Sequence, residues 1–147
     1  MNFPTPEFDV LLVEDNPADA ELTIEALGSS AWPIRFHHEA DGVEAMAYLR
    51  NQQNTKGAKI PDLILLDLNM PRKSGKEVLA ELKADEKLKT IPVLIFTTSQ
   101  DDMDVLSAYR LNANGYISKP VDLESYMKVL RVIEDFWMKV VKLPPKV

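Results

Sequence analysis

Asp62-Leu63-Ile64-Leu65-Leu66-Asp67-Leu68-Asn69-Met70-Pro71-Arg72-Lys73-Ser74-Gly75 is the stretch that decides the fold. Leu63 to Leu66 run straight into a carboxylate, Asp67. A short apolar run bounded by turn residues reads as a strand buried on both faces, the kind found in parallel sheets. An unpaired carboxylate in the middle of such a sheet would be costly. At the strand's carboxyl end it is tolerated, because the crevice of an open parallel sheet lies there. Pro71 and Gly75 then break the chain before the next helix. Asp67 is therefore expected to face a ligand rather than to be packed away.

Working outward, the same pattern recurs. Val10–Val13 reads as a buried strand ending in Glu14, Asp15 and Asn16. Pro17 suits a first helical turn, with Asp15 or Asn16 as cap and Gly28 as stop. Residues 34–40 form a second strand. Adjacent His37 and His38 then point to opposite faces, which argues against a shared metal and for a surface or edge role. Asp41-Gly42 opens a helix to about Arg50, and the polar Asn51–Lys59 stretch reads as a loop. After the central strand come a helix over 74–84, an apolar strand over 91–97 ending in Thr97-Thr98-Ser99, and a helix from Asp101 to about Leu111. The acidic first turn of that helix suits its dipole. A short strand, Gly115–Ser118, leads into Lys119-Pro120, and a last helix runs from about Asp122 past Trp137. Strands alternating with helices imply an α/β domain: five parallel strands, helices on both faces, right-handed crossovers.

Composition narrows the function. A chain of 147 residues, 46% hydrophobic, can build one core. A net charge of −6 offers no basic face for nucleic acid or an anionic membrane. The absence of cysteine excludes disulfides, thiol nucleophiles and Cys-type zinc sites. No signal peptide and no apolar run near the roughly 18 residues of a membrane span are visible, so a cytoplasmic protein is expected.

In such a sheet all strand carboxyl ends open on one edge. This chain places Glu14, Asp15, Asp67, Thr97 and Lys119 there. Clustered carboxylates cannot all stay ionised without a counter-ion, and Mg²⁺ takes one or two carboxylates together with phosphate. The hydroxyl and ammonium suit phosphate oxygens. A carboxylate nucleophile forming an aspartyl-phosphate is a known strategy. The constellation reads as a Mg²⁺-dependent acceptor of a phosphoryl group.

These residues resemble a receiver domain of a two-component response regulator. The carrying motifs are Val13-Glu14-Asp15-Asn16, Leu65-Leu66-Asp67-Leu68-Asn69-Met70-Pro71 with Gly75, Thr97-Thr98-Ser99 and Tyr116-Ile117-Ser118-Lys119-Pro120. Asp67 and Thr97 lie 30 residues apart and Thr97 and Lys119 lie 22 apart, which fits that family. The resemblance implies a flavodoxin-like receiver fold with strand order 2-1-3-4-5. It implies that a sensor histidine kinase phosphorylates Asp67. Asp15 and Asp67 would bind Mg²⁺ directly, Glu14 through water, and Asn69 through its backbone carbonyl. Thr97 would hydrogen-bond the phosphate and Lys119 would pair with it. Tyr116 would be the rotating aromatic that reports the state of Thr97, shifting populations at the face of the fourth helix, fifth strand and fifth helix.

Two departures from that family stand out: Glu14 replaces a commoner second Asp, and the 51–59 loop is long for the family's region between the second and third strands, its bland reading a tolerated insertion. The expected organisation is a lead-in at 1–8 with Pro4 and Pro6, the receiver over 9–141, and a tail at 142–147. With no output domain after the last helix, a stand-alone receiver is expected. That helix carries Tyr126, Val129, Ile133, Phe136 and Val140 in one stripe. Leu123, Met127, Leu130, Trp137 and Val141 form a neighbouring stripe, interrupted by Glu134. As one α-helix from Leu123 to Val141 it would reach about 28 Å. Phe136, Trp137, Val140 and Val141 are the expected homodimer interface, with packing of the tail on its own subunit as the alternative. Phe136-Trp137, the Leu143-Pro144 tail and Glu77-Val78-Leu79-Ala80 further resemble receivers partnered with bacterial phytochromes, which implies a light-sensing kinase. The rival readings are a phosphorelay intermediate, a receiver-like module with an idle site, and an aspartate-nucleophile phosphatase. The phosphatase lacks its usual second acid, since that position is Asn69. A dinucleotide enzyme lacks the Gly-rich loop.

Overall fold

The computed structural model describes residues 7–29 and 33–145. Pro4, Pro6 and the last two residues of the expected tail lie outside them. Five strands, β1 (Phe8–Val13), β2 (Ile34–Glu39), β3 (Leu63–Leu66), β4 (Val93–Thr97) and β5 (Gly115–Ser118), alternate with α1 (Pro17–Gly28), α2 (Gly42–Asn54), α3 (Gly75–Ala84), α4 (Asp102–Arg110) and α5 (Leu123–Ile133). All strand pairs are parallel, in the order β2-β1-β3-β4-β5.

The central strands are sealed on both faces. Ile64, Leu66, Val93 and Ile95 share one core with α2 and α3, whereas Leu63, Leu65, Leu94 and Phe96 share the other with α1 and α5. Helix starts follow the local sequence. Asn16, Asp41, Ser74, Asp101 and Asp122 each accept a first-turn N–H through the side chain. Because Asn16 is the cap of α1, the neighbouring Asp15 carboxylate is left for other work. Gly28 is the last helical residue rather than the stop; Ser29 caps the helix, its N–H donating to the Glu25 carbonyl at 3.2 Å.

Two sequence expectations fail. The 51–59 stretch is not a loop throughout, since α2 continues to Asn54. Its polar residues lie on the solvated end of a helix, where Gln52 donates to the Lys59 carbonyl and Gln53 to Asp85. The last helix is not one α-helix either. From Glu134 to Val140 it continues as a π-helix, and Val141 N–H donates to Phe136 five residues back at 2.8 Å. The widened turn shifts the phase of the apolar stripe. Met138, five residues after Ile133, is buried, while Phe136 and Val140 are turned out to 51% and 72% exposure. Trp137 and Leu143 fold back against the core. Leu123, the first residue of the second apolar stripe, is exposed. Among the described residues no helix is long and apolar enough to cross a membrane.

Candidate functional site

The carboxyl edge of the sheet collects the candidate residues. Register places Val13 beside Leu66, Leu66 beside Ile95, and Thr97 beside Ser118. The next residues on β1, β3 and β5, namely Glu14, Asp67 and Lys119, therefore emerge on one edge of the sheet, β4 lying between the last two. The Asp67 N–H donates to the Val13 carbonyl at 3.0 Å, and the Lys119 N–H to the Thr97 carbonyl at 2.7 Å. Pro120 restricts Lys119 to extended backbone, which carries its side chain across the edge toward β1 and β3.

Gly75 does more than break the chain. A Cβ there would lie 2.1 Å from the Asp67 carbonyl oxygen, and the Gly75 N–H donates to Leu68 at 2.8 Å. The start of α3 thus packs directly on the backbone of Asp67. Between them Arg72 takes φ 65°, with the Lys73 N–H on the Pro71 carbonyl at 2.7 Å, a γ-turn held by ion pairs from Arg72 to Asp41 and Glu44.

Ligand oxygens of Glu14, Asp15 and Asp67 all lie within 4.8 Å of one another, with Glu14 and Asp67 buried and Asp15 exposed. One Asp67 oxygen, Oδ1, is buried without a partner. The other, Oδ2, is 3.4 Å from Lys119 Nζ. Three hard oxygen donors, with an orphaned carboxylate oxygen among them, fit a divalent cation. Lys119 is buried, its ammonium paired with Glu14, with Asp19 at 2.9 Å, and with Asp67. Burial by itself would lower the Lys119 pKa, but its bonds to Glu14 and Asp19 and the Asp67 charge raise it, so the ammonium persists. Burial pushes Glu14 up most. The Lys119 bond opposes this and Asp67 adds to it, leaving the carboxyl at about 7.

Thr97 is fully buried at the end of β4, its Oγ accepting a long bond from Ser99 N–H at 3.5 Å. Tyr116 is half-buried on β5, in register with Ile95, and its hydroxyl donates to the Ser99 carbonyl at 3.0 Å. The Ser99 hydroxyl donates to Asp104 at 2.6 Å, and Asp104 pairs with Lys76 of α3. The Asn69 side chain is exposed, two residues beyond Asp67. Phe136, Trp137, Val140 and Val141 lie on the π-helical turn and its end, distant in sequence from this edge.

Two contacts escape a reading by motif. Asp19 reaches Lys119 from the first turn of α1, where no motif marks it. His38 Nε2 bonds the Glu14 carbonyl at 2.8 Å, as donor, while His37 on the other face stacks on Tyr48. The register Leu12–His38 puts that imidazole beside the β1 exit.

The chain belongs to the response regulator receiver domain family, which it matches over residues 10–131. Within that family it is similar to Response regulator Rcp1 of Synechocystis, at 44% identity over 92% of each chain. Among solved structures it is similar to the phosphorylated cyanobacterial phytochrome response regulator RcpA, with TM-score 0.90 and 45% identity over 95% of this chain and 100% of that one. The Mn²⁺-bound form of Rcp1 follows, with TM-score 0.87 and 43% identity over 94% and 99%.

Proposed function

We propose that Asp67 accepts a phosphoryl group from the phosphohistidine of a sensor kinase, and that the kinase is of the phytochrome type. A carboxylate oxygen of Asp67 attacks phosphorus, the P–N bond breaks, and the histidine nitrogen leaves with the electron pair. Glu14, through water, and Asp15, Asp67 and the Asn69 backbone carbonyl would hold Mg²⁺, and the cation would supply positive charge facing the phosphoryl oxygens. Lys119 turns an N–H from Asp67 to the transferred group. Thr97 donates its hydroxyl to it. Water later attacks the acyl phosphate and frees Asp67, so the protein holds one phosphoryl group and turns over no external substrate.

The observation that carries this reading is the meeting of Glu14, Asp15 and Asp67 within 4.8 Å, with a buried ammonium 3.4 Å from Asp67. The phytochrome partner rests on similarity to Rcp1 and RcpA. A relay role, in which the phosphoryl group passes onward, is not favoured by these relatives. Incubation with Mg²⁺ and acetyl phosphate followed by intact mass tests the acceptor. One added phosphoryl group that is lost in Asp67→Asn supports it, and no gain despite bound Mg²⁺ favours an idle module. Phosphotransfer from a phytochrome-type kinase, set against an unrelated kinase, tests the partner.

Output passes through Tyr116 in this proposal. Moving the Thr97 hydroxyl toward phosphate releases Ser99, whose carbonyl holds Tyr116 and whose hydroxyl holds Asp104 of α4. A homodimer is the second element. Val132, Phe136 and Val140 are exposed apolar residues at four-residue steps, and a second copy would cover them by symmetry. Light scattering at high micromolar concentration, with and without phosphorylation, reads it; a strict monomer in both states ends the dimer.

A further inference from the structure

The crowding around Lys119 poses a problem for cation binding. An ammonium has three N–H groups, and all three are spoken for: by Glu14, by Asp19 at 2.9 Å and by Asp67 at 3.4 Å. Glu14 and Asp67 belong to the group that fits a divalent cation, whereas Asp19 does not. A cation arriving there must share two carboxylates with a positive charge already bound to them. The Lys119 side chain is 3% exposed, so water cannot take over the N–H groups it gives up, and an unpaired buried charge is expensive.

Asp19 meets this need. It lies in the first turn of α1, where its own N–H is satisfied by the Asn16 side chain at 3.1 Å. Its carboxylate therefore has no capping duty. The side chain is 27% exposed, so it has room to follow the ammonium. It approaches from the α1 side, away from β3.

We infer that Asp19 is a positioning residue that holds the Lys119 ammonium while the cation engages Glu14 and Asp67, leaving one lysine N–H directed at the phosphoacceptor. This rests on the reading of the carboxylate group as a divalent-cation site. Asp19 touches neither the cation nor the phosphoryl group; it acts through Lys119. Removing its charge returns the ammonium to Glu14 and Asp67, where it competes with the metal.

Calorimetric titration of the full chain with Mg²⁺ alone, without a phosphodonor, tests this. Asp19→Asn is expected to raise the Mg²⁺ Kd about tenfold, the lower range for partners one step removed from a metal. A plain loss of negative charge would also weaken binding, so the same substitution is made in Lys119→Met. There the lysine no longer competes, and Asp19→Asn is expected to change Kd by less than about twofold, the signature of a pair that acts as a unit. Asp19→Glu, which keeps the charge, restores binding toward wild type. An unchanged Kd in Asp19→Asn, or an equal loss in the Lys119→Met background, overturns the role of Asp19 while leaving the cation site standing. If the wild-type chain binds no Mg²⁺, the cation site falls and the Asp19 role with it.

Discussion

Among the described residues two carboxylates leave one oxygen buried without a partner, Asp9 Oδ2 and Asp67 Oδ1. They sit at opposite ends of the sheet, Asp9 near the start of β1 and Asp67 just past the end of β3. Their surroundings differ. Asp9 pairs with Arg35 at 2.7 Å, and the arginine side chain is 60% exposed and shared with Glu7. Asp67 faces a lysine that is 3% exposed and already bound to Glu14 and Asp19. At the carboxyl edge the parallel topology brings strand ends and helix starts together, so charged side chains from β1, β3, β5 and α1 meet. At the amino edge the chain brings the exposed Arg35 to Asp9, and among the described residues Asp9 belongs to no group of three such ligands. Only at the carboxyl edge do several charges converge on an orphaned oxygen.

The strongest way to break this contrast is to neutralise each carboxylate in turn. Asp67→Asn replaces the proposed nucleophilic carboxylate with a neutral amide, so phosphoryl uptake from acetyl phosphate is expected to fall from about one group per chain to none. Asp9→Asn is expected to leave uptake unchanged. Intact mass reads both, and a phosphorylated Asp67→Asn chain would place the acceptor elsewhere.

A smaller effect is expected from Gly75→Ala, which alters no charge. The new Cβ meets backbone, 2.1 Å from the Asp67 carbonyl oxygen and 2.7 Å from Leu68 Cα. No rotamer relieves a backbone clash, so α3 or β3 must shift. We expect a loss of about 1–3 kcal/mol by chemical denaturation, together with weaker Mg²⁺ binding because Asp67 moves with its backbone. Unchanged stability would mean that α3 is not seated on the site as described.

How much of this was legible in the sequence follows from where each signal comes. The Leu63–Leu66 strand, a cap at Asp15 or Asn16, and the alternation of elements are local, and they hold in the fold, with Asn16 the one that caps. The strand order came from resemblance, because periodicity carries no information on neighbours, and it agrees with the observed sheet. The last helix misled because a heptad-like stripe assumes 3.6 residues per turn. The π-helical turn after Ile133 breaks that phase, burying Met138 and exposing Phe136. The Lys119–Asp19 and His38–Glu14 bonds were invisible because each joins residues far apart in sequence through a crossover. Gly75 was read as a helix breaker, whereas its real constraint is the approach of two backbones.

Glu14 sharpens the comparison through pH. Its carboxyl is raised from 4.5 to about 7, first by burial, with Lys119 pulling it down and Asp67 pushing it up. A raised carboxyl holds its proton in the folded state where the unfolded chain has lost it. Its contribution to stability is therefore fully present below 4.5 and is lost as pH rises through about 7. A cation needs the ionised form, so its affinity runs the other way. Mg²⁺ binding is expected to weaken by up to about tenfold per unit as pH falls below neutral, one proton being displaced per cation. Glu14→Gln should flatten that slope. A slope that persists in Glu14→Gln would assign the proton to another member of the cluster, among Asp15, Asp19 and Asp67.

The least effect belongs to the amino edge. Arg35→Ala removes the counter-charge of Asp9, but the guanidinium is largely solvated and splits its attention between Asp9 at 2.7 Å and Glu7 at 3.5 Å. Exposed pairs of this kind contribute less than about 1 kcal/mol and fade with salt. We expect a small stability loss that shrinks at high ionic strength, with Mg²⁺ affinity and phosphoryl uptake untouched. A loss of several kcal/mol that resists salt would mean that Asp9 depends on Arg35 as a buried ion depends on its partner. The two ends of the sheet would then differ in what they bind, and not in how their charges are held.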